Sequence, residues 1–275
     1  MQVHSVDSAP DRASTPQRAT PHTVSGLRET IGEAIGRWLA PAVARISRSR
    51  NARMFHPEGH TFTGRVVSAG EGPYKDLGRR LAGRALVRLS PALWRNGVEH
   101  FDVLGLALRV RPGDGPALDQ IAGRTDQDLL FATIRSPLTM MFSPFTTDAS
   151  DFIGNTYWAV SPFAIGEKYR VEIRLVPVDP KRTKGTRVDR LREGVRSGHA
   201  IWRLEARRTL TLHWYPVAHL VVEREAAIDQ AALRFDPFRS GAGVEPVGLV
   251  HAIRRAVYAA SQHARPSQSS PRRAG

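Results

Sequence analysis

Residues 201–223 read IWRLEARRTLTLHWYPVAHLVVE. Apolar, β-branched and aromatic side chains crowd this stretch, which predicts two strands, 201–212 and 214–223. Towards the N-terminus the same texture recurs in six more short segments, 60–68, 84–89, 102–110, 127–134, 155–160 and 168–177. Glycines separate them, as do Ser-Pro pairs beginning at Ser90, Ser136, Ser143 and Ser161, and such pairs favour turns. The eight segments form an even set, and an antiparallel sheet of that size can close into a barrel that leaves no open edge. A polar, helix-like insert, 187–197, interrupts the series, and no repeat of fixed period is present.

Helical patterns flank the strands. Leu27, Ile31, Ile35, Trp38 and Leu39 recur at helical spacing before Pro41 breaks or restarts the helix ahead of Val43 and Ile46. After the turn-rich stretch that contains Phe235-Asp236-Pro237, Leu249, Ile253, Val257 and Ala260 form the apolar stripe of a helix over 247–263, which Pro266 ends. Residues 1–25 and 266–275 are rich in Ser, Pro and Arg with few apolar side chains, so burial cannot offset the entropy of ordering them. The expected organisation is a disordered N-terminal tail (1–25), one folded domain (26–265) and a disordered C-terminal tail (266–275). The expected fold class is α+β: an eight-stranded antiparallel β-barrel with flanking α-helices.

Composition narrows the chemistry. The chain has 275 residues, 41% of them hydrophobic and 24% charged, which is enough to bury a sizeable core. It contains no cysteine, which removes disulfides, thiolate metal sites, iron–sulfur clusters and cysteine nucleophiles. Any metal must be held by His, carboxylate or Tyr. The formal net charge is +14, but only four of the 40 cations are lysines (Lys75, Lys168, Lys181, Lys184) and the arginines are spread along the chain. The densest run, 181–196, reads as a solvated face, and nucleic acid is not an expected partner. No apolar run reaches the ~18 residues that span a bilayer. Residues 1–25 lack the apolar core of a secretory signal, so the expected location is cytoplasmic.

On the C-terminal helix Arg254 and Tyr258 are four apart and Arg265 is seven further on, so all three project towards one side if the helix persists. A phenol with a pKa of about 10 is a poor ligand at neutral pH, whereas a neighbouring guanidinium favours the phenolate. Two readings follow from the spacing alone: a tyrosine flanked by solvated arginines, or a tyrosinate metal ligand.

The pattern Arg-x-x-x-Tyr-x6-Arg at Arg254, Tyr258 and Arg265 resembles the proximal haem motif of catalases, and Phe235-Asp236-Pro237 lies where that family carries a similar Phe-x-Pro. Arg53-Met54-Phe55-His56-Pro57-Glu58-Gly59, followed by Gly64, resembles the family's distal segment Arg-x-x-His-x-x-Gly with a second Gly eight residues after the His. Between them, Val87-Arg88-Leu89-Ser90 and the strand Phe101–Arg109 resemble two further catalase segments, so the likeness covers roughly residues 50 to 265. The resemblance implies haem b (iron protoporphyrin IX) as cofactor. It implies Tyr258 as axial iron ligand, Arg254 bonded to its oxygen, Arg53, Arg88 and Arg265 on the propionates, and His56 above the haem with Ser90 accepting its hydrogen bond.

Two departures matter. The segment Asp128-Leu129-Leu130-Phe131-Ala132-Thr133 has no counterpart of the distal Asn of catalases, which helps to position hydrogen peroxide. The chain is also much shorter than ordinary catalases, so their nucleotide binding and tight tetramers are not expected here; it looks like the small catalase-related haem proteins, with a homodimer the expected assembly. The implied activity is a haem peroxidase acting on organic hydroperoxides with an organic electron donor, weakly active on hydrogen peroxide. An alternative is a haem-dependent fatty-acid hydroperoxide isomerase or dehydratase, for which Phe55, Phe131 and Ala132 would supply an apolar distal side. A third is a non-enzymatic basic binding protein on a catalase scaffold. His213 and His219 form no zinc-spaced set, and no glycine stretch reads as a phosphate loop.

Overall fold

The computed structural model describes residues 59–92, 99–136, 142–165, 169–230 and 232–247. The leading helix, both tails and all but the first residue of the helix expected over 247–263 lie outside the described residues. Ten strands are described: β1 (His60–Ser68), β2 (Gly83–Pro91), β3 (Leu104–Pro112), β4 (Gln127–Ala132), β5 (Tyr157–Ala159), β6 (Phe163–Ile165), β7 (Tyr169–Pro177), β8 (Ile201–Arg208), β9 (Tyr215–Glu225) and β10 (Val244–Pro246). Three helices join them: α1 (Lys75–Leu81), α2 (Ser143–Thr146) and α3 (Arg187–Arg196).

Neighbouring strands follow the order β7-β5-β4-β3-β2-β1-β9-β8, and β8 pairs back onto β7, so eight antiparallel strands close into a barrel. β5 and β6 share one edge of β7 at different heights, and β10 pairs with β6 as an annex outside the ring. Seven of the eight expected strands overlap their observed counterparts within about two residues at each end, in keeping with how sharply pattern can place an element. The third began two residues before Leu104, and the seventh ran past Arg208 into a loop. β6, β10, α1 and α2 were not foreseen.

Period-two alternation sends Ala85, Val87 and Leu89 of β2 inward to the main core, while Leu86 joins a smaller cluster with Leu118 and Leu233 outside the barrel. β2 is buried on both faces, so later chain covers its outer side. Trp202, Tyr157, Phe62 and Leu204 are among the side chains that fill the interior, each contributing about 1.5–3 kcal/mol on full burial.

One end of the barrel is plugged by α3 and the loop before β5. Leu191 and Val195 enter the core beside Phe152 and Ile153. A capping box starts α3: Asp189 N–H lies on the Thr186 hydroxyl, and the Asp189 carboxylate accepts from the Thr186 hydroxyl and the Thr186 N–H, the two bonds that hold its carboxyl below the usual range. The run is solvated at Lys181, Arg182, Lys184, Arg192 and Arg196, as expected, but its helix also turns an apolar side and one arginine inward. Arg187 is buried, donates to the Ala149 carbonyl at 2.6 Å and lies over the Phe152 ring, while Arg190 and Arg192 pair with Glu99 and Glu225. α1 caps the opposite end through Leu77 and Leu81.

Candidate functional site

Arg88 and Ser90 alternate with core residues and face outward from β2, yet they are only 7% and 3% exposed. Across β3 and β4 the same outer face continues as two rows: Arg88 lies opposite Ala107, which lies opposite Leu130, and Ser90 lies opposite Gly105, which lies opposite Ala132. The floor beside the two polar groups is therefore flat and mostly small.

β1 opens beside this floor. His60 pairs with Leu89, so one further step of the register sets Gly59 opposite Ser90. A Cβ on Gly59 would lie 2.4 Å from Arg88 Cζ, so the guanidinium occupies the space a side chain would fill. Gly64 has a different reason. Its Cβ would lie 2.2 Å from the Val221 carbonyl, where a bulge draws β1 and β9 together. Arg53 and His56 lie outside the described residues.

The lower part of the same face is held by a buried ionic network that sequence reasoning missed. Arg109 Nε and Nη2 donate to Asp128 Oδ1 and Oδ2 at 2.8 and 2.9 Å, and both side chains are fully buried. Asp128 also accepts from Asp236 N–H at 2.8 Å and from Arg239 Nε at 3.3 Å, while Arg109 donates to the Arg234 carbonyl and lies over the Phe235 ring. Next to it the Gln127 amide donates to the Arg239 and Val244 carbonyls. These bonds fasten residues 233–244, including the Phe235-Asp236-Pro237 turn, onto the barrel. The only sequence signal was two opposite charges on segments expected to be strands; their pairing needs the register.

The chain leaves this region at Val247, whose N–H donates to the Pro162 carbonyl at 2.8 Å. A shallow cleft there is lined by Asp128, Leu130, Ser161, Phe163, Pro237 and Pro246, so its wall includes the end of the Arg88–Ala107–Leu130 row. Arg254, Tyr258 and Arg265 lie outside the described residues.

The structure changes the expectation for Phe131 and fixes the role of Thr133. Phe131 belongs to the barrel core, so it cannot line the outer face, because Ala132 holds the outward position and adjacent strand residues alternate. The Thr133 hydroxyl is buried and accepts from Leu104 N–H at 3.0 Å, with Thr147 Oγ1 a further 2.8 Å away, so it serves the loop rather than an open site. At the same barrel end His60 is held below its usual pKa by burial and by the Arg192 charge, against the opposing pull of Glu225. Among the described residues no cluster of His, Asp or Glu could hold a metal ion on its own.

A closed eight-stranded antiparallel barrel, with a buried arginine and serine on its outer face beside the β1 entry, defines the class. Two solved structures are similar in fold: a fungal catalase (TM-score 0.52, 13% identity, 82% of this chain and 62% of that one) and a bacterial catalase (TM-score 0.52, 14% identity, 94% of this chain and 63% of that one). The chain has a catalase-like fold and spans less than two thirds of the length of either. No protein-family profile and no curated protein matches its sequence.

Proposed function

We propose that this chain is a haem-dependent peroxidase that reduces organic hydroperoxides and acts only weakly on hydrogen peroxide. The observation that carries the reading is the joint burial of Arg88 and Ser90 on the outside of a catalase-like barrel, with the Arg88 guanidinium against Gly59. A buried cation beside a flat floor of Gly105, Ala107 and Ala132 suits a planar apolar group that carries carboxylates.

The termini of the described chain support the same site. From Arg88 to Leu130 is two strand spacings, roughly 10 Å. Eleven residues separate Val247 from Tyr258, a reach of ~16 Å even as a helix. Tyr258 would ligate the iron, with Arg254 keeping its oxygen ionised. Arg53, Arg88 and Arg265 would neutralise the propionates. Haem b, when bound, supplies the redox capacity that splits an O–O bond.

His56 would take the proton from the terminal oxygen of the hydroperoxide and return it to the oxygen that bears the organic group, which leaves as the alcohol. Ser90 would hold the ring by accepting its N–H. Two electrons and two protons from an organic donor complete the conversion of ROOH to ROH and water. Weak action on hydrogen peroxide follows from the floor itself, because Ala132 has no polar atom to hold a second peroxide and the Thr133 hydroxyl is committed to Leu104.

The test is haem titration of the full chain, with its visible spectrum, followed by turnover of cumene hydroperoxide with a phenolic donor. The expected result is one haem per chain, a high-spin ferric spectrum lost or converted in Tyr258→Phe, and cumyl alcohol formed as donor is oxidised. A chain that takes up no haem, or a Tyr258→Phe protein with an unchanged spectrum, refutes the reading. Conversion of a fatty-acid hydroperoxide to a ketol or epoxide without donor oxidation would favour the isomerase or dehydratase alternative.

A further inference from the structure

The β8–β9 hairpin ends in Thr209-Leu210-Thr211-Leu212-His213-Trp214 at the α1 end of the barrel, opposite the end plugged by α3. Its tip breaks the usual rules for a loop. Leu210 and Leu212 are 97% and 90% exposed, and Leu210 adopts φ +72, a left-handed conformation that favours Gly or Asn over a large apolar residue. The turn is nevertheless fixed: Thr211 donates to the Arg208 carbonyl through both its N–H and its hydroxyl, at 3.0 and 2.7 Å, and Thr209 N–H donates to the Arg170 carbonyl. A rigid loop presents two leucines to the outside.

What stands behind the leucines says what they meet. Trp214 is half-buried between the Arg174 and Arg207 guanidinium groups, at 4.1 and 4.5 Å from its ring, and Tyr215 stacks edge-on with His213 and Tyr74. Arg174 and Arg207 are balanced by Glu205 and Glu172. Arg170 and Arg208, at the hairpin base, are exposed and form no ion pair among the described residues. The strand register puts the exposed Arg170 and Arg208 directly behind the leucines, with Trp214 one step further down over Arg174 and Arg207. Aliphatic side chains at the tip with these two cations immediately behind them match the acyl boundary and anionic headgroup layer of a lipid surface. Two leucines offer far too little area for a stable dimer, which needs ~800 Å² on each partner.

We infer that the 209–215 hairpin docks this protein onto an anionic lipid bilayer, with Leu210 and Leu212 entering the acyl boundary and Arg170 and Arg208 meeting phosphate and carboxylate headgroups. Docking of this kind needs no spanning segment, and no helix of the described residues is long and apolar enough to be one. The inference rests on the hairpin alone and is independent of haem.

The experiment is co-sedimentation of the full chain with phosphatidylcholine vesicles, with and without phosphatidylserine. Binding should be at least about tenfold tighter with phosphatidylserine and should fall with salt. L210N/L212S should weaken it by roughly tenfold for each leucine, and R170Q/R208Q by about fivefold for each arginine. Asn at position 210 suits the left-handed turn, so circular dichroism and thermal midpoint should be unchanged or improved in L210N/L212S. If that variant binds the vesicles as tightly as the parent, cations elsewhere hold the membrane and the proposal is overturned. It is overturned equally if neither protein binds and sedimentation velocity shows a parent dimer that the leucine changes dissociate.

Discussion

Asp128→Asn is the sharpest test of how the barrel carries its outer chain. The native carboxylate takes two bonds from Arg109, one from Asp236 N–H and one from Arg239, and neither Asp128 nor Arg109 has exposed side-chain surface. Asparagine preserves the shape but removes the charge and turns one acceptor into an NH2 donor, leaving a fully buried guanidinium with only neutral acceptors, the amide oxygen and the Arg234 and Gln120 carbonyls. Breaking one side of such a pair costs about 3–5 kcal/mol, whereas replacing both sides with apolar groups is often close to neutral. For a domain of this size the loss lowers Tm by roughly 6–20 °C. Chemical denaturation and calorimetry should show it, with Arg109→Leu/Asp128→Leu recovering part of the loss. Glu225→Gln, which breaks the half-exposed pair with Arg192, serves as the control and should stay within about 1 kcal/mol. Because the network holds residues 233–244, Asp128→Asn should also weaken haem uptake below its own unfolding temperature. If Asp128→Asn behaves like Glu225→Gln, the pair is not what fastens this loop.

Gly64→Ala should destabilise by at least about 2 kcal/mol, because its Cβ meets a backbone carbonyl, whereas Gly59→Ala meets a movable guanidinium and should change stability by less than about 1 kcal/mol while weakening haem binding; urea titrations and haem titrations of both separate the effects. His60 has a folded pKa below its unfolded value of 6.5, so its contribution is present above pH 6.5 and is lost as pH falls from there through the folded value. His60→Gln, neutral throughout, should flatten that part of the Tm profile measured between about pH 5 and 8. Arg254→Leu should raise the Tyr258 pKa and shift the haem spectrum, while Arg255→Leu, about 100° around a helix, should leave it unchanged; equal damage from both contradicts the assignment of Arg254.

Much of the barrel was legible because strands announce themselves through composition and turn chemistry, and seven of its eight strands are long enough, at six residues or more, to show it. The failures share a cause. β6 and β10 are three residues each, too short to carry a period, and their pairing depends on where β7 lies. The expected strand 201–212 overran because Thr-Leu-Thr-Leu looks like a strand, yet Leu210 turns left-handed and the leucines face outward. A segment with the composition of a strand and the exposure of a loop conflicts with its own context, and such conflicts concentrate where a surface has a task. Only the three-dimensional placement separates the two.

The site was legible in a different way. Arg88 and Ser90 sit two apart on a strand and so had to share a face, but which face depended on the parity of the core, fixed by Ala85, Val87 and Leu89. The same parity removed Phe131 from the distal side and left Ala132 there. Gly59 and Gly64, which strengthened the family likeness at the outset, are not equal evidence for haem. Gly64 is required by the close approach of β1 and β9 whether or not anything binds outside the barrel. Gly59 is required only because a guanidinium lies where its side chain would be. The Gly59–Arg88 contact, and not the glycine spacing as a whole, is therefore the part of the likeness that bears on a site outside the barrel, because it alone involves one of the side chains that the resemblance assigns to the cofactor.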